Sequence, residues 1–99
     1  MTRQEHLISI VAEEAVEVAQ RATKALRFGL YEVQPGQEKS NLIRMMEEYC
    51  ELAAAISMLL AGRVGAVVDF DKLVALKTEK VEKFLRYSEH CGTLEKVGE

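Results

Sequence analysis

The chain has 99 residues, which allows one domain, residues 1–99, and leaves no room for a separate cofactor-binding domain. Hydrophobic residues reach 48% but aromatics only 6%, and one Pro with six Gly supplies too few turns for a sandwich or barrel of short strands. A net charge of −3 excludes general nucleic-acid binding, which requires a basic surplus.

Helical periodicity appears first from about Arg3 to Phe28, with Leu7, Val11, Ala15, Val18, Ala22 and Ala25 recurring on one side and Gly29 as the stop. Leu30 to Lys39 is a connector around the turn signal Gln34-Pro35-Gly36-Gln37. Ser40 is placed to cap a second helix, Asn41 to Ala61, whose Met45, Leu52, Ile56 and Leu59 share a face. Gly62 and Gly65 bracket a loop, and Val64 to Phe70 reads as a short extra helix or as loop. Asp69 or Asp71 caps a last helix that carries Leu73, Val81, Phe84 and Leu85 and ends near Glu89, leaving Gly92 to Glu99 as a loosely held tail. Short connections between long helices predict antiparallel packing. The expected fold is therefore all-α, an antiparallel helical hairpin plus a C-terminal helix. Three helices cover their apolar stripes poorly in so small a chain, so a homo-oligomer, dimer or tetramer, is expected to complete a four-helix-type bundle.

The polar start, Met1 to His6, lacks the layout of a signal peptide, and Arg63 interrupts the apolar stretch from Leu52 to Ala61. Cys50 and Cys91 make no disulfide framework. These features predict a soluble, cytoplasmic protein with no membrane partner. His6 and His90 stand near opposite ends and read as surface residues.

The charges are more informative than their sum. At about 100° per residue, Glu14 falls inside the apolar arc of the first helix, Glu17 beside it and Glu13 further toward solvent. In the second helix Glu48 stands one turn from Met45 and Leu52, Glu51 lies at the edge of that arc, and Glu47 lies beyond it. Each helix thus directs two carboxylates, three residues apart, toward its packing partner. Unpaired buried carboxylates are costly and would repel one another, so cationic side chains or a divalent cation must neutralise them. An all-oxygen set suits Mg²⁺ or Mn²⁺ better than Zn²⁺. Pairing within a helix is the simpler fate of a Glu, and Glu17 with Arg21 has the required i, i+4 spacing. On the last helix Lys77 lies on the apolar arc and Lys80 beside it. Such residues either snorkel or meet an anion, for which phosphate matches Mg²⁺ plus Lys.

Glu13-Glu14-Ala15-Val16-Glu17 matches the EExxE motif, and Glu48-Tyr49-Cys50-Glu51 stands in the place of the ExxD motif, of the all-α nucleoside triphosphate pyrophosphatases. With the lysine-bearing segment Lys77 to Ser88, the chain resembles the MazG-like group of that superfamily over nearly its whole length. The family's final Asp is Glu51 here, which moves that carboxylate outward by one methylene. The resemblance implies Mg²⁺ held by Glu14, Glu17, Glu48 and Glu51, with Glu13 as an outer member that orients water. It implies a nucleoside triphosphate substrate cleaved between its α- and β-phosphorus atoms to monophosphate and pyrophosphate. Lys77, Lys80 and Arg44 would hold phosphate and Asn41 would contact base or sugar. Arg44 also has a simpler reading, an ion pair with Glu48 or Glu51. Two alternatives stand beside the enzyme: a non-catalytic helical oligomerisation or partner-binding module with inward salt bridges, and a phosphoribosyl-nucleotide pyrophosphohydrolase.

Overall fold

The structure, a computed structural model, describes residues 1–96. It contains four helices, α1 (Arg3–Phe28), α2 (Asn41–Leu59), α3 (Val64–Val67) and α4 (Phe70–Cys91), and no strand among the described residues. Residues 1–63 form one compact unit and the chain from 64 onward a second.

In the first unit the helix ends are fixed by local chemistry. The Thr2 side chain accepts from the Glu5 amide at 3.1 Å and the Glu5 carboxylate accepts from the Thr2 amide at 3.2 Å, a reciprocal cap for α1. Gly29, at φ +110°, ends the helix and donates its N–H to the Ala25 carbonyl at 2.9 Å. Ser40 caps α2 as expected, its hydroxyl accepting from the Ile43 amide at 3.3 Å. That helix stops at Leu59, two residues short of the expected Ala61. Ala61 at φ +50° and Gly62 at φ +76° turn the chain left-handed, and the Gly62 amide donates to the Ser57 carbonyl at 2.8 Å.

The connector is tied to both helices. Asn41, only 2% exposed, donates its side-chain amide to the Gly29 carbonyl at 2.8 Å and to the Glu32 carboxylate at 3.0 Å. Its backbone amide reaches the Glu32 carbonyl at 3.0 Å, and the Leu42 amide reaches the Leu30 carbonyl at 2.9 Å. These bonds hold the C-terminus of α1 and the N-terminus of α2 at one end of the hairpin. Leu7, Ala25 and Ala55 are its buried apolar side chains. Val11, Val18, Met45, Leu52, Ile56 and Leu59 are half-buried, whereas Ala15 and Ala22, expected on the inward stripe, are exposed. The stripe turns instead through Glu14 and Arg21, both half-buried.

In the second unit Val64–Val67 takes the helical option left open for that stretch. Asp69 caps α4, its carboxylate accepting from the Lys72 amide at 3.1 Å. The helix runs past Glu89 to Cys91, where Gly92 at φ +80° ends it and the Thr93 amide donates to the Ser88 carbonyl at 3.0 Å. Of the expected tail, residues 97–99 lie outside the described residues. Leu73, Val81, Phe84 and Leu85 are all exposed on α4.

Asn41→Ala would remove two side-chain bonds and leave the Gly29 carbonyl short of an acceptor's partner. Urea denaturation should show a loss of about 1–3 kcal/mol with an unchanged m-value.

Candidate metal centre

The side chains of Glu14, Glu17, Glu48 and Glu51 converge. One carboxylate oxygen from each lies within 4.8 Å of the other three. Glu14 neighbours Glu51, and Glu17 neighbours Glu48, so rising numbers on α1 meet falling numbers on α2. The helices are therefore antiparallel, and the i, i+3 spacing on each places two acids on adjoining turns of one groove. Glu14, Glu17 and Glu48 are half-buried and Glu51 is exposed, matching its place at the edge of the α2 arc.

These groups have no cationic partner. Among the described residues the ion pair within 4.0 Å is Lys39 with Glu47, at 2.6 Å on the outer side of α2. Glu17 and Arg21 do not form the i, i+4 pair that their spacing allows. Arg44 pairs with neither Glu48 nor Glu51 and donates instead to the Gln34 side-chain oxygen at 3.1 Å. One oxygen each of Glu14 and Glu48 is sealed from solvent without a hydrogen-bond partner. Acids so arranged resist ionisation. Burial, then the charge of Glu17, pushes Glu14 above the ordinary 4.5. Glu17 is raised first because its protonated form can donate to Glu48, and then by the Glu48 charge. Glu51 is raised for the same reasons, again with Glu48 as the main neighbour.

The donor set fits a hard cation. Four carboxylate oxygens within 4.8 Å of one another are an all-oxygen set of the kind a hard cation takes. The sealed oxygens of Glu14 and Glu48 are acceptors lacking a partner, and an ion between the helices would give them one.

The other expected site residues are placed as follows. Glu13 is exposed on the turn that bears Glu14. Arg44 is half-buried and lines a cavity of about 380 Å³ with Gly36, Gln37 and Lys39. Asn41, expected to contact base or sugar, spends its side-chain amide on Gly29 and Glu32. Lys77 and Lys80 are exposed on α4, in the second unit. Cys50 and Cys91 are exposed free thiols, with Cys91 the last residue of α4. The Phe28 ring carries the Arg27 guanidinium 5.0 Å from its centre, and Tyr87 stacks with His90 at 6.5 Å between ring centres. Arg21 is half-buried on the same stripe as Glu14, with its Nη1 sealed from solvent and without an acceptor. Its position seven residues after Glu14 is the signal for that placement in the sequence.

Comparisons with protein-family models, curated proteins and solved structures return no match for this chain.

Three carboxyl groups with raised pKa values make the folded chain bind more protons than the unfolded chain above pH 4.5. The stability they contribute is full below that value and is lost as pH rises through the raised values. In EDTA, the melting temperature should therefore gain from these groups as pH falls from 7.5 toward 4.5. Glu48→Gln, which removes the main neighbouring charge, should raise the pH 7.5 melting temperature and flatten this dependence. An unchanged slope in the variant would contradict the assignment.

Proposed function

We propose that the protein is a Mg²⁺-dependent nucleoside triphosphate pyrophosphohydrolase of the MazG-like type, cleaving a (d)NTP to monophosphate and pyrophosphate and serving in nucleotide-pool house-cleaning. The observation that carries this reading is the meeting of the EExxE acids Glu14 and Glu17 with Glu48 and Glu51 of the second motif. Sequence resemblance selected those four residues, and the folded hairpin brings their oxygens within 4.8 Å.

In this reading Glu14, Glu17, Glu48 and Glu51 hold Mg²⁺, with Mn²⁺ an acceptable substitute. When bound, the ion supplies charge screening for the phosphates and a more acidic water. Glu13, outside the group of four, orients the attacking water through its exposed carboxylate. A carboxylate oxygen left free of the ion accepts the water's proton. Water adds across the α–β anhydride, the bridging oxygen leaves with pyrophosphate, and Arg44 neutralises the phosphate charge. Within the chain, no inward glutamate has an ion-pair partner among the described residues.

A homo-oligomer belongs to the same proposal. Ile43 and Met46 are 49% and 47% exposed and flank a groove of about 550 Å³ on α2 that ends at Glu51. Apolar surface of this kind is normally covered by a partner.

Pyrophosphate release should be detected with at least one member of a panel of standard and modified (d)NTPs and a phosphoribosyl nucleotide, with Mg²⁺ or Mn²⁺. Glu48→Ala should lower turnover at least about hundredfold while circular dichroism remains helical. Mg²⁺ with a non-hydrolysable nucleotide should raise the melting temperature of the wild type but not of this variant. No turnover across the panel by folded protein would sink the proposal. Light scattering should return two or four times 11.1 kDa, and Met46→Glu should shift the mass toward 11.1 kDa.

A further inference from the structure

Beyond the four glutamates, α1 and α2 carry a second layer of charge. Glu17 meets Glu48, so one turn further along the antiparallel pair, about 6 Å, Arg21 on α1 comes level with Arg44 on α2. Both arginines are half-buried, and neither has a carboxylate within ion-pair distance among the described residues. Arg44 is bonded to the neutral Gln34 side chain. The Nη1 of Arg21 is sealed from solvent with no acceptor. Lys39, the cation on the same cavity wall as Arg44, is already taken by Glu47 at 2.6 Å.

A sealed donor with no acceptor, such as Nη1 of Arg21, loses its hydration without return. The glutamates show the opposite sign of the same imbalance one turn away. A single molecule that is anionic and carries a divalent cation corrects both. Its phosphate oxygens accept from the guanidinium groups, whose planar forks match phosphate, while the cation lies among the carboxylates.

We infer that Arg21, acting with Arg44, holds the phosphate chain of the nucleotide at the closed end of the hairpin, beyond Glu17 and Glu48. The inference rests on the triphosphate-and-metal reading above and adds to it a direction. The polyphosphate runs along the α1–α2 groove toward the connector, and the leaving pyrophosphate departs from the arginine layer. Arg21 is a phosphate ligand of the site, and the level it shares with Arg44 along the hairpin depends on the Asn41 bonds that hold the two helix ends together.

Calorimetric titration of the full chain with inorganic triphosphate, in the presence of Mg²⁺, tests it, alongside titration with Mg²⁺ alone. Arg21→Gln should weaken triphosphate binding at least about tenfold and leave the Mg²⁺-alone midpoint within about twofold of wild type. Arg21→Lys should recover only part of the affinity, since a point charge replaces a fork. If Arg21→Gln loses helical content, Arg44→Gln carries the same decision. Wild-type affinity in the folded glutamine variants, or no triphosphate binding by the wild type, overturns the inference. Arginine-dependent triphosphate binding without any Mg²⁺ binding would keep the arginine site and remove the metal reading.

Discussion

Repulsion among four carboxylates held between two antiparallel helices is the constraint around which the hairpin is arranged. Glu14, Glu17, Glu48 and Glu51 bring an oxygen each within 4.8 Å, and among the described residues none of them has an ion-pair partner. The helices do not part to relieve the charge because their ends are tied. Asn41 joins Gly29, Glu32 and the start of α2 at the closed end, while Leu7 and Ala55 are buried in the body of the pair. Capping at Thr2 and Ser40 keeps both helices intact up to their first turns. The cost of the carboxylate layer is thus carried by ordinary helix chemistry placed around it, the usual arrangement at a functional site.

Seen along its length, the groove between α1 and α2 is divided into layers. Leu7 lies near Met58 and Leu59 toward the open end. The glutamates follow, then the level of Arg21 and Arg44, and last the Asn41 staple. This order has a simple origin. A helix returns to the same face after seven residues, so Leu7, Glu14 and Arg21 occupy one line on α1. Arg21 thus stands about two turns beyond Glu14 and about one turn beyond Glu17.

Much of this was legible in the residues. The 3.6-residue period gave α1 its bounds, Ser40 and Asp69 proved to be caps, and the wheel placed Glu14, Glu17 and Glu48 inward with Glu51 at the edge. These features depend on neighbours within one or two turns, which sequence spacing encodes. The reciprocal Thr2–Glu5 cap was equally local and was passed over because the N-terminus looks merely polar. The early end of α2 was harder to see, since Ala61 rather than a glycine takes the first left-handed position.

Other assignments depended on which side chain reaches which atom across the hairpin. Spacing allowed Arg21 to pair with Glu17 and Arg44 with Glu48 or Glu51, yet neither pair forms, and Asn41 turned out to serve the connector. A helical wheel specifies direction from one axis and carries no information about the register or separation of two. The amino-acid order therefore determined the helices, their caps and the inward aim of the acids, all consequences of local backbone periodicity. Only the packed hairpin decided that the four acids meet, that two arginines stand without acidic partners beside them, and that Asn41 is a staple, because those outcomes require distances between residues far apart in the chain.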